Sequence, residues 1–301
     1  MNLRVKMMPV FLPLALVACG KAMPVPATPA AAATAKVDLR WHGAVTSEAA
    51  VEAQAAAADI VYLGEKHDNP EHHRLQARVL AALVKSGARP AVVFEMIDDD
   101  QQAVLDDLAA RPNVTAADYR AALAWDKSGW PEFALYAPIF EVAIAAKLPI
   151  VGGNAPTSLV KHVAFTGEGA ENLSALPAPA EHDLEQELAD SHCGALPAEA
   201  LPSMALAQRV RDARIAQHAR DAAKTSHPRS VVIAGNGHTR TDRGAPWAAL
   251  QLEPTLRQVS ISFQEAAPSL DTKSPPNQPY DAVWITSAMP PEDHCKNFHM
   301  R

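Results

Sequence analysis

An apolar run that ends in glycine and at once presents a carboxylate and an imidazole constrains this chain more than any other feature. The run is Ile60-Val61-Tyr62-Leu63-Gly64, followed by Glu65-Lys66-His67. Asp68-Asn69-Pro70 comes next and reads as a helix start, with Asn69 as cap and Pro70 at the first helical position. Glu65 and His67 are therefore expected on a tight strand-to-helix loop. In open α/β sheets, that is the edge where ligands bind.

The pattern repeats. Short β-rich apolar runs fall at 60–64, 91–96, 149–153, 230–235, 258–263 and 282–286. Longer Ala-rich helical stretches separate them, at 70–85, 100–109, 115–124, 131–147, 156–165, 180–191, 202–224 and 246–252. Such alternation predicts an α/β fold, a mainly parallel sheet covered by helices on both faces. The stretch 176–200, Pro-rich at both ends and helix-like between, reads as a helical insertion. Four strands end in polar residues that a strand does not itself need: Glu65 and His67, then Glu95, then Asn154, then Asn236 and His238. Parallel strands would bring all of these to one edge.

The ends of the chain speak about compartment. Residues 1–18 carry Arg4 and Lys6 and then a short apolar stretch, as a secretory signal does. They run into Leu16-Val17-Ala18-Cys19-Gly20, which resembles a bacterial lipoprotein processing box with Cys19 as the lipidated residue. Gly20 after that cysteine, by resemblance to Gram-negative lipoproteins, favours the outer membrane. Residues 19–36 form a Pro/Ala-rich tether. Residues 37–301 remain for a single α/β domain, with no break in composition. A net charge of -7 argues against a nucleic-acid partner. Cys193 and Cys295 are an even pair in an exported chain, which favours a disulfide in the oxidising periplasm. The alternative is a zinc site, because His192 and His294 precede the two cysteines.

Carboxylates beside imidazoles suit either acid–base chemistry or the orientation of a metal-bound histidine. Purely structural roles are the alternative: Glu95 as a buried acid paired with Arg74 or Lys66, and Asn154 and Asn236 as turn residues. His72 and His73 lie in the first turns of the helix after Asn69, from which one of them, His72 in our assignment, reaches the pocket.

Taken together these residues resemble a known family. Gly64-Glu65-x-His67 with Asp68-Asn69, Phe94-Glu95-Met96, Gly235-Asn236-Gly237-His238, and Gln208-x-x-Arg211-Asp212-x-x-Ile215-Ala216 are similar to the ChaN-like haem-binding lipoproteins. These belong to the wider Tiki/erythromycin-esterase superfamily. The similarity spans most of 59–286 and keeps the motif order. It implies an outer-membrane lipoprotein that binds haem for iron uptake, as a homodimer with two haems at its interface. The implied ligand-binding set is His67, His72, Asn154, Asn236, Arg211 and His238. His238 is the expected axial ligand of haem iron, because its glycine loop would keep the ring accessible. The family's ligation also involves a tyrosine. This chain has only Tyr62, Tyr119, Tyr136 and Tyr280, none in the helix before His238, so His218 or His227 would take its place. The same resemblance supplies an alternative, a hydrolase, with or without a divalent metal, in which Glu65, His67, Glu95 and His238 converge on one water.

Overall fold

The computed structural model describes residues 38–224, 229–266, 278–290 and 294–297. Cys19, the signal, the tether and His227 lie outside the described residues. Among those residues one sheet of eight strands runs in the order β2-β1-β8-β7-β3-β6-β4-β5. The strands are β1 (Asp38–Trp41), β2 (Ala44–Val45), β3 (Ile60–Glu65), β4 (Ala91–Asp98), β5 (Ile150–Asn154), β6 (Ser230–Gly235), β7 (Gln258–Glu265) and β8 (Ala282–Thr286). From β8 through to β5 every neighbouring pair is parallel; only the β1–β2 hairpin and its pairing with β8 are antiparallel. The expected α/β class holds.

The helices are α1 (Glu48–Ala57), α2 (Pro70–Lys85), α3 (Gln102–Ala109), α4 (Ala116–Ala122), α5 (Phe133–Ala145), α6 (Thr157–Thr166), α7 (Ala178–Ser191), α8 (Leu201–Lys224) and α9 (Ala245–Leu252). Strand periodicity decides which helices meet which face. Val61, Leu63, Val92, Phe94, Val231 and Ile233 pack with residues of α2, α3 and α5 into the larger core. Their neighbours Ile60, Tyr62, Val93, Val232 and Ala234 face Ile215, Ala216 and Ala219 of α8 and Ala245 and Ala249 of α9. The central strands are buried on both faces, which is why they read as continuous apolar runs. Each such Val, Leu, Ile or Phe contributes about 1.5–3 kcal/mol through burial.

Local chemistry fixes the element starts. The Asn69 side chain accepts from the backbone N–H of Glu71 and His72, with Pro70 in the first turn, so α2 begins where the sequence places it. Three elements were not anticipated. β1 and β2 are short and carry Asp38 and Arg40 among their few residues, and α1 is an Ala-rich helix capped by Ser47. At the far edge, the Gln102 side chain donates to the Ile150 carbonyl (3.2 Å) and accepts from the Gly152 N–H (3.0 Å). One amide side chain thus takes the place of a further strand beside β5. The predicted insertion is real: α7 lies against α8, and Cys193 beyond it is disulfide-bonded to Cys295 with Cα atoms 5.6 Å apart. The sulfurs are therefore joined to each other rather than available for zinc.

Candidate functional site

The C-terminal ends of β3, β6 and β4 lie side by side and each delivers one polar group. Glu65, the last residue of β3, turns to the α2/α5 face. Its Oε1 accepts from the Tyr136 hydroxyl (3.0 Å) and lies 2.8 Å from His67 Nδ1. Its Oε2 lies 2.9 Å from His73 Nδ1, an ion-pair contact outside hydrogen-bond geometry. Glu95 in β4 has the opposite parity and turns to the α8 face. Its Oε2 accepts from the Gly235 N–H (2.7 Å), and its Oε1 lies 3.2 Å from His238 Nε2. His238 Nδ1 in turn meets Asp212 Oδ1 at 2.6 Å.

His67 joins the two halves. It lies over the sheet edge, with Nδ1 on Glu65 and Nε2 4.0 Å from Glu95 Oε1. Gly235 makes room for it, because a Cβ there would stand 2.8 Å from His67 Nε2. The result is an unbroken alternation of imidazoles and carboxylates: His73, Glu65, His67, Glu95, His238, Asp212. Its side chains are almost wholly buried except for His67, whose side chain is 35% exposed. His73 Nε2 donates to the His67 carbonyl (2.9 Å), so it also ties α2 to the loop.

Electrostatics follow from this alternation. Burial alone would raise the Glu65 carboxyl, but the His67 hydrogen bond and the close contact with His73 outweigh it and bring it down to about 2. Burial likewise opposes the charge on Glu95, and the His238 cation overrides it and lowers its pKa. His238 pays the same desolvation cost, yet the charges of Glu95 and Asp212 raise it to about 10. Asp212 moves upward, because burial dominates and it shares the single His238 cation with Glu95. For His67, burial is outweighed by the Glu65 hydrogen bond and the Glu95 charge, so its pKa also rises. Along this chain the acids favour the charged forms of His67 and His238, and the imidazoles favour the charged forms of Glu65 and Glu95.

The placement of the sequence-predicted residues is uneven. Glu65, His67, Glu95 and His238 come together, and the Asn154 amide donates to the Glu95 carbonyl (2.9 Å). Five expectations need correction. His238 is not accessible: it is 6% exposed and both ring nitrogens are engaged. His72 does not reach the pocket. Its Nδ1 accepts from the Lys66 N–H, its Nε2 meets Thr286 Oγ1, and burial lowers its pKa to about 4, so it is a neutral anchor between loop and β8. Asn236 donates to the Phe263 carbonyl and accepts from the Ser262 hydroxyl, stitching β6 to β7. Arg211 is half-buried on α8 and makes no hydrogen bond or ion pair to the cluster. His218, one substitute for the missing tyrosine, is bonded to Asp99 (3.1 Å). His73, Tyr136, Asp212 and Gln208 were missed as site residues. Gln208, whose amide lies 3.1 Å from His238 Nε2, and Asp212 are four apart on α8, a spacing that puts both on one helix face.

Beside His67 the ring of Trp130 stands edge-on, with centroids 5.0 Å apart. Trp130 also lines a cleft of about 370 Å³, with Met96, Leu123 and Trp125 on its apolar side and Asp98, Asp100, Gln101 and Lys127 on its polar side. The His67 side chain thus combines partial exposure, an Nε2 without a hydrogen bond and an aromatic neighbour. Among the described residues no group of three or more His, Cys, Asp or Glu side chains is placed to hold a metal ion. The carboxylates are committed to imidazoles, so the set does not fit a divalent-metal centre.

Fold and site together define a parallel α/β protein with a carboxylate–imidazole chain over the C-terminal edge of its sheet. The family described as haem-binding uptake, Tiki superfamily, ChaN matches residues 51–248, and the chain belongs to it. Among solved structures it is similar to the haem-bound ChaN of Campylobacter jejuni, at 22% identity and a TM-score of 0.66, covering 80% of this chain and 92% of that one. That likeness is one of fold. More distant likenesses include the type III effector HopBA1 (14% identity, TM-score 0.47, 78% of this chain and 91% of that one). A mutant of erythromycin esterase EreC is another (14%, TM-score 0.40, 80% and 78%). No curated protein matches.

Proposed function

We propose that this protein binds haem through His67 and serves haem or iron uptake as a membrane-anchored lipoprotein. One observation carries the reading: His67 is the cluster imidazole whose side chain is partly exposed and whose Nε2 has no hydrogen bond, and Trp130, which borders a neighbouring cleft, stands edge-on beside it. A haem ligand needs a neutral imidazole nitrogen at an apolar surface. Glu65 on Nδ1 fixes the ring orientation and its tautomer, as carboxylates do for metal-bound histidines. Bound haem would supply the iron and its colour; the protein supplies the ligand, the ring platform and the buried acids. Cofacial haem binding, as described for the ChaN of Campylobacter jejuni, would suit a homodimer of this chain.

Residues 1–18 would be the signal, Cys19 the lipidated residue, 19–36 the tether, and 37–301 the haem-binding domain. We place it at the outer membrane, facing the periplasm or the surface. The Cys193–Cys295 disulfide supports an oxidising compartment. Cys19→Ala should release the protein from the membrane fraction; unchanged fractionation would refute the anchor.

Titration of the purified protein with haemin, followed by its absorption spectrum, tests the central claim. The expected result is a saturable band that His67→Ala abolishes or shifts. A band indifferent to His67 would refute it. A second reading has one observation in its favour: Glu65 and Glu95 each hold an imidazole at one edge, as general acid–base pairs do. In a hydrolase, substitutions at Glu65, His67, Glu95 and His238 would remove activity together, since such groups act as a unit.

A further inference from the structure

On the α8/α9 face, behind Asp212, lies a cavity of about 60 Å³ that is separate from the cleft beside His67. Two arginines, Arg209 and Arg243, form its polar wall, and Trp247, Leu173 and Leu252 its apolar one. Both arginines are deeply buried, at 7% and 3% exposure. Burying a guanidinium is costly unless every donor is matched. Here they are not all matched. Arg243 Nη1 is buried and has no hydrogen-bond partner.

The countercharges are also unusual. Arg209 Nη2 donates to the Ser174 carbonyl, and Nη1 reaches Glu181 only at 3.4 Å. Arg243 pairs with Glu187. Glu181 and Glu187 both belong to α7, and their side chains are 45% and 51% exposed. Two buried cations are thus countered by two surface carboxylates that can turn to water. The acid in the cavity wall itself, Asp212, is already bonded to His238. The haem reading uses none of the two arginines, the two glutamates or Trp247.

We infer that this cavity is a binding site for a small oxyanion, a carboxylate or phosphate head group, held by the paired guanidiniums of Arg209 and Arg243. The guanidinium fork matches both head groups in geometry. The volume exceeds what one water needs and suits a small head group. The ligand oxygens take the place of Glu181 and Glu187, and the Trp247 side accepts a short apolar body.

The test is a calorimetric titration of the haem-free full chain with inorganic phosphate and, in a second arm, with acetate; chloride is the control. Saturable heat with phosphate alone assigns a phosphate head, and with acetate a carboxylate head. Glu187→Gln removes a competing surface carboxylate and should tighten binding about tenfold, the equivalent of roughly 1.4 kcal/mol. Arg209→Lys keeps the charge but loses the fork and should weaken binding by about the same factor. Should Arg209→Lys fail to fold, Glu187→Gln alone decides the matter. No saturable heat with either oxyanion would overturn the site, as would equal affinity in wild type and Glu187→Gln. Because no haem is present, this outcome is independent of the fate of His67 as a ligand.

Discussion

The two faces of the sheet carry nearly the same chemistry to the same edge and finish it differently. On the α2/α5 side, Glu65 holds His67 on a loop that stands over the edge, and that ring keeps an open nitrogen. On the α8 side, Glu95 holds His238 between itself and Asp212, and that ring has none. Residue type does not distinguish the two. Cover does: α7 packs across the α8 side, with Glu187 close above Gly237, whereas the edge of the Trp130 ring stands beside the partly exposed His67. A sealed imidazole held between two acids suits a structural cation; one whose second nitrogen has no hydrogen bond suits the ligand role proposed for His67.

The sharpest way to break this contrast is to remove each ring. His67→Ala should weaken haem binding by more than about a hundredfold, the upper range for metal-site perturbations, with little change in stability. His238→Ala should do the reverse. It leaves Glu95 and Asp212 buried without their cation and should cost about 3–5 kcal/mol, read by urea unfolding. If His238→Ala instead abolishes the haem band in a stably folded protein, the contrast is wrong.

Protons separate the halves next. The folded pKa of His238 is raised from 6.5 to about 10, so its contribution to stability is complete below about 6.5 and is lost as pH rises through about 10. Glu65 is depressed from 4.5 to about 2, so its contribution is present above about 4.5 and disappears as pH falls toward about 2. Thermal melts across pH should show both limbs. His67 must lose its proton to ligate, and its pKa is raised, so haem affinity should fall with acidification beginning above 6.5. An affinity flat from pH 5 to 9 would count against His67 as ligand.

Two smaller changes sharpen the picture. Gly235→Ala places a Cβ 2.8 Å from His67 Nε2 and should displace the ring, weakening haem binding about tenfold. Tyr136→Phe removes one hydrogen bond to Glu65 and should cost about 1 kcal/mol of stability with haem affinity within a few-fold of wild type.

The strands at 230–235 and 282–286 and the helix at 70–85 were legible to the residue, because glycine, proline and the Asn69 cap punctuate them. β1 and β2 were not, since two to four half-exposed residues leave no period to read. At the site, every strand-end residue was visible in sequence, but its neighbours on helices were less so. His72 and His73 are adjacent on α2 and point to different surroundings, one to Thr286 and one to Glu65; only the docked helix decides between them. The glycines around His238 suggested an open loop. Cover supplied by α7, a segment some fifty residues away in sequence, reverses that meaning.

The Gln102 side chain on the flank of β5 has a consequence for how copies of this chain can meet. It occupies the Ile150 carbonyl and the Gly152 N–H, the very groups through which a foreign strand would dock. The opposite margin ends in a two-residue strand, too short to template another. Growth by strand-to-strand addition is therefore blocked at one rim and poorly supported at the other. A pair of molecules would have to meet through helices and loops rather than extend the sheet.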